Sequence, residues 1–207
     1  MEHSQNPEKL KITLPALAID IDGVALRGSM IIGNSDQMIR QIMAPRTELR
    51  KRDNGEDISL PFTFLTNGGG FIEERKAQEL NIKLKMNEED PIYKLTARNI
   101  IQCHTPLREK ALVDKYKNKY VLVCGYDEVL DAALKYGYEK AIHVDELAAV
   151  YPNAVPMDIP TLKKERIELF RNDLETRFKM TIEELKEDLY FAAIFIMHGV
   201  VYSDLTI

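Results

Sequence analysis

The segment LPALAIDIDG, Leu14 to Gly23, limits what this chain can fold into more than any other. Its apolar run reads as a largely buried strand. The strand then stops at two carboxylates, Asp20 and Asp22, followed by Gly23. Carboxylates this close repel each other unless something positive lies between them. A divalent metal, a phosphoryl group, or water at an exposed strand end would each serve. The question is whether the rest of the chain completes such a site.

The pattern continues as strands alternating with helices. A helix is expected to start after Asn34 or Ser35 and run to about Ala44, with Asp36 favouring its first turn. The strand PFTFLT, Pro61 to Thr66, leads into NGGG and a helix from about Ile72 to Leu80. NIIQCH, YVLVCG and KAIHV are further strands, with LREKALVDKY and DEVLDAALKYG as helices between them. Gly137 is the expected C-cap of the second of these. Residues 161–189 read as charged helices, with Thr181 and Glu184 forming a capping box. A buried strand is expected at Phe191 to Met197. Residues 1–13 read as a loose arm and the stretch starting PRTELRKRDNGEDIS as a charged surface loop. The alternation predicts an α/β chain: a mostly parallel sheet with helices on both faces, hence a three-layer, Rossmann-like core.

Charge and hydropathy narrow the function classes. With 28 basic and 33 acidic residues, net −5, no basic field is present to hold a nucleic-acid backbone. No apolar run approaches the ~18 residues of a membrane span. The start, MEHSQNPEKLKIT, is polar and lacks both a signal core and an Arg-rich presequence, so the expectation from sequence is a cytoplasmic protein. Cys103 and Cys124 are too few for a disulfide scaffold or a cysteine metal site, and both are expected to fill core space beside strands.

Asp20 stands at the carboxyl end of the first strand, where open parallel sheets gather ligands. A carboxylate there can attack phosphorus and form an acyl phosphate. Asp22, two residues on, can protonate the leaving oxygen and later deprotonate water, while Gly23 permits the turn that aims both into one cavity. Thr66 and Asn67 end the second strand, and the hydroxyl with neighbouring backbone N–H groups can hold phosphoryl oxygens. Gly68, Gly69 and Gly70 expose further N–H groups before a helix start, which suits an anion. Arg27 adds positive charge near the mouth. Each signal alone has a plainer reading: a strand-end Asp caps a turn, and TNGGG makes an ordinary one. Together, two apolar strands that each end in the required groups favour a phosphoryl site.

DIDGV after an apolar strand, then FLTNGGG, resembles the first two motifs of the haloacid dehalogenase-like hydrolases. The longer pattern IDIDGVALRG, PFTFLTNGGGFIEERKA, IIQCHTPLREK, KYVLVCG and ALKYGYEKAI is similar to the large-cap class IIA, and within it to the cat eye syndrome critical region protein group. The resemblance implies Asp20 as nucleophile, Asp22 as general acid/base and Thr66 as phosphoryl-binding hydroxyl, with Asn67, Gly68 and Arg27 beside the substrate. It implies Mg²⁺ on Asp20 and the Asp22 carbonyl, completed by a later Asp. It implies a small phosphorylated metabolite as substrate, and an association with mitochondria and glycerophospholipid metabolism. Residues 1–103 then correspond to the N-terminal half of the core and 104–207 to a partial cap. The family's third motif, a Lys, and its fourth, a Gly-Asp segment, have no counterpart here. Close relatives continue FAAIFIM with an Asp-Pro-Arg-Asp-Trp-like segment where this chain has HGVVYSDLTI, in which Asp204 is the one carboxylate. The chain is therefore read as a truncated member, with a catalytically inactive, anion- or protein-binding remnant as the alternative to a phosphatase. Uncovered sheet would then promote self-association. His104 of the His-Thr-Pro stretch is expected to be structural, and His143 to be an ordinary core or surface histidine.

Overall fold

The computed structural model describes residues 15–45, 59–86, 90–151 and 164–197. The arm at 1–13, Leu14, most of the charged loop, and the HGVVYSDLTI tail with His198 and Asp204 lie outside the described residues. The chain divides into two compact units, residues 1–65 with 80–95, and 66–79 with 96–207.

The first unit begins with β1 (Leu17–Asp20). A hairpin of β2 (Leu26–Arg27) and β3 (Met30–Ile31) follows, then α1 (Ser35–Met43) and β4 (Phe62–Thr66). β1 pairs in parallel with β4, from Leu17 opposite Phe62 to Asp20 opposite Leu65. The strand is less enclosed than its sequence suggests: Leu17 and Ile19 are half-buried, while Ala18 and Asp20 are exposed. Phe64 is fully buried on β4, and Leu65 is exposed. α1 buries Ile39, Ile42 and Met43 along one stripe, the spacing of an amphipathic helix. Its Asn34 N-cap makes no side-chain capping bond. α2 (Glu73–Lys83) ends in this unit. Within its last turn, the Asn81 amide clasps the Leu95 backbone with bonds of 3.0 and 2.9 Å.

The second unit holds β5 (Ile100–Gln102), α3 (Lys110–Tyr116), β6 (Val121–Cys124), α4 (Val129–Tyr136) and β7 (Ala141–His143). It continues with α5 (Val144–Val150), α6 (Lys164–Phe178), α7 (Ile182–Asp188) and β8 (Ala193–Ile196). β6 lies between β7 and β8, parallel to both. Side chains alternate across a strand, so two cores form. Val121, Val123, Ala141 and Phe195 pack with Val129, Ala132 and Ala133 of α4. On the other face Ile142 packs with α5, α6 and α7 through Ala149, Val150, Leu174, Ile182 and Leu185. Helices thus cover both faces of a parallel sheet, the α/β layering expected from the alternation. Gly137 caps α4 at φ +103°, and Thr181 with Glu184 forms the capping box of α7.

β8 departs from expectation. Phe195 is buried, but Ile194 and Ile196 are 63% and 71% exposed. They share the strand face opposite Phe195, at the sheet edge among the described strands. Cys103, expected to fill core, is exposed, and its Sγ lies 3.1 Å from the Met197 carbonyl.

Candidate phosphoryl site

In the first unit, Asp20 is exposed and accepts the Ile21 N–H at 2.9 Å through Oδ1. A tight turn follows. The Ile21 carbonyl takes the N–H groups of Ala25 and Leu26 at 3.0 and 2.9 Å, and the Gly23 N–H bonds the Leu26 carbonyl at 2.7 Å. Gly23 sits at φ +86°, backbone that favours glycine. Asp22 is exposed on this turn. Arg27, also exposed, lies on the hairpin opposite Met30. Because β1 and β4 run parallel, their carboxyl ends share one sheet edge, with Asp20 across from Leu65.

Thr66, the residue after Leu65, opens the second unit and is buried. Its Oγ1 accepts the Gly68 N–H at 3.0 Å, while Asn67 is exposed. The glycines do not form the open row of donors that the sequence suggested. Gly69 and Gly70 are buried. A Cβ on Gly69 would stand 2.8 Å from Gln102 Oε1, and one on Gly70 2.8 Å from both Asp127 Oδ2 and the Tyr126 carbonyl. Glycine is needed here for close approach.

Behind this loop lies a polar cluster that the sequence did not single out. Glu73, at the start of α2, is 1% exposed. Its Oε1 accepts Thr105 Oγ1–H at 2.7 Å and Tyr136 O–H at 2.9 Å, with Arg108 Nη1 3.6 Å away. Burial pushes the Glu73 carboxyl up, but the bonds from Thr105, its own backbone and Tyr136, with the Arg108 charge, outweigh it and hold the group below the usual range. Burial and the adjacent Glu73 carboxylate push the Tyr136 hydroxyl well above its ordinary value. His104, fully buried, joins through Nδ1 to the Tyr136 oxygen at 2.9 Å. In the sequence Glu73 and Glu74 look alike; only packing separates the buried one from the exposed one. His143 caps α5, its Nδ1 accepting the Asp145 N–H at 3.2 Å.

The metal expectation meets a short donor set. Carboxylate oxygen suits Mg²⁺, yet among the described residues no group of three or more His, Cys, Asp or Glu is placed to hold a metal ion. Asp20 and Asp22 do not make up the site by themselves. No described helix is long and apolar enough to cross a membrane.

The haloacid dehalogenase-like hydrolase family matches residues 17–139. A mitochondrial hydrolase of Saccharomyces cerevisiae is 30% identical over 160 residues, 77% of this chain and 38% of the relative. A cardiolipin synthase (CMP-forming)/mitochondrial hydrolase fusion protein of Schizosaccharomyces pombe is 33% identical over 123 residues, 59% of this chain and 17% of the relative. The chain therefore spans well under half the length of either. Among solved structures, a glycerol phosphate phosphatase of Mycobacterium tuberculosis in complex with magnesium aligns with 87% of this chain and 61% of its own, at TM-score 0.44 and 15% identity.

Proposed function

From the fact that the chain belongs to the haloacid dehalogenase-like hydrolases, we propose that it recognises the phosphoryl group of a small phosphorylated metabolite without turning it over by itself. One observation supports the reading: the parallel pairing of β1 and β4, which sets Asp20 opposite Leu65. Thr66 and Asn67, with the backbone of Gly68, are the phosphoryl-holding groups. Asp20 and Asp22 bring only negative charge, and phosphoryl transfer depends on positioned positive charge. Losing one well-placed stabilising donor costs about 10²–10³ in rate, and among the described residues no group of three or more His, Cys, Asp or Glu is placed to hold a metal ion.

The second reading is the family's reaction. An Asp20 oxygen attacks phosphorus, the ester oxygen leaves with a proton from Asp22, and Asp22 then takes a proton from the water that cleaves the acyl phosphate. Mg²⁺, bound by a complete donor set, would neutralise charge on the phosphoryl oxygens.

Residues 1–103 are assigned to the core and 104–207 to the cap of a class IIA member close to the cat eye syndrome critical region group. The names of the two fungal relatives favour mitochondria over the cytoplasm, with a link to glycerophospholipid metabolism resting on resemblance alone. A C-terminal fluorescent fusion is expected in mitochondria; diffuse cytosolic signal refutes that location.

The activity test is hydrolysis of an aryl phosphate with Mg²⁺ by the full chain and its Asp20→Asn variant. Equal rates at background are expected. Turnover above background that disappears in the variant, with its urea midpoint unchanged, overturns the binding-only reading in favour of the enzyme.

A further inference from the structure

Glu73 is costly to bury: a carboxylate out of water loses several kcal/mol unless it is well hydrogen-bonded. An acidic residue in the first turn of a helix already favours that helix from solvent, as exposed Glu74 can do one position later. Burying Glu73 adds nothing to that role. What the burial adds is a set of connections, all within the second unit.

Thr105 Oγ1, which donates to Glu73, accepts the Gln102 N–H at 2.8 Å. The Tyr136 hydroxyl, which also donates to Glu73, takes the Nδ1–H of His104 at 2.9 Å, given the tautomer this geometry requires. Gln102, through its backbone N–H, and His104, through Nδ1, are thus each one hydrogen bond from a group held by Glu73. They are also the two side chains against Gly69, 2.8 and 3.2 Å from where its Cβ would be. Gln102 Nε2 further donates to the Phe71 carbonyl at 2.9 Å. On the other side, the Gly70 carbonyl accepts the Glu128 N–H at 2.8 Å. The loop leaving Thr66 is therefore closely packed at Gly69 and hydrogen-bonded at Gly70 and Phe71, and the residues on its inner side connect to one buried charge. Such networks act as a unit, each bond polarising the next.

We propose that Glu73 and Thr105 are positioning residues for the phosphoryl-holding stretch Thr66–Gly68, acting through Gln102 and His104 on Gly69. Neither touches the phosphoryl group. The inference rests on the phosphoryl reading above for its purpose, but its structural content stands apart from it.

The test uses the full chain with Glu73→Gln, Thr105→Val and the conservative Thr105→Ser. Amide hydrogen exchange is followed at residues 68–71 and, for reference, in β6; inorganic phosphate is the binding probe. A hydrogen bond to a charged group is worth about 1.5–3 kcal/mol. Glu73→Gln and Thr105→Val are therefore expected to speed loop exchange about ten-fold or more beyond any change in β6. Thr105→Ser should restore wild-type rates. Phosphate affinity should fall about ten-fold in the first two variants and recover in Thr105→Ser. Loop exchange that merely tracks β6 in every variant overturns the proposal, since that is the mark of a purely structural role. A loosened loop with undiminished phosphate affinity overturns it as well. If the wild-type chain binds no phosphate, the phosphoryl reading falls, and the exchange comparison alone decides whether Glu73 positions the loop.

Discussion

The two units differ in how they use apolar residues. The second builds a parallel sheet with a core on each face, and its central strand β6 alternates buried Val121 and Val123 with half-buried Leu122 and Cys124. The first pairs β1 with β4 and leaves Asp20, Asp22 and Leu65 exposed. The expected nucleophile and acid thus stand at an exposed strand end and turn of the first unit, while the second carries the Thr66–Gly70 loop and its buried Glu73. Chemistry-bearing carboxylates must meet solvent and substrate.

Phe195→Ala tests that contrast most severely. Phe195 is buried edge-on against Tyr138 at 4.8 Å and Tyr116 at 6.0 Å. Truncating a buried Phe costs about 3–5 kcal/mol. Amide protection in β6 and β8 should fall accordingly, with protection in β1 and β4 retained. Equal loss in both regions would show one cooperative body and break the comparison.

A smaller effect sharpens it. The folded-state pKa of Glu73 is depressed, so its charge adds stability above the ordinary carboxylate range. That contribution is lost as pH falls through the lowered folded value. Urea midpoints taken down the acid limb should drop more steeply for the wild type than for Glu73→Gln, with the difference closing at the lowest pH. Parallel acid limbs would mean that the Glu73 charge does not stabilise the fold.

Much of this was legible in the sequence because it depends on local chemistry. The apolar runs at β1, β4 and β6 marked strands. Gly137 had to cap a helix where φ is positive, and Thr181 with Glu184 spelled out a capping box. The candidate site was legible only as a pair of strand ends, since DIDG and TN carry their signal within a few residues. Ile194 and Ile196 were misread as buried because an apolar run cannot say which of its faces will be covered.

The sequence by itself determined the alternation of strands and helices, the turn at Gly23 and the residue types at the two motif ends. All of these follow from propensities and spacing within one or two turns of chain. Only the tertiary structure decided that Asp20 stands opposite Leu65, that Gly69 and Gly70 are glycines for close packing, and that Glu73 rather than Glu74 is buried. Those outcomes depend on partners tens of residues away, Gln102, Asp127 and Tyr136 among them. Which distant groups come together is set by the packing of whole elements, because a buried charge is tolerated only where such partners converge on it.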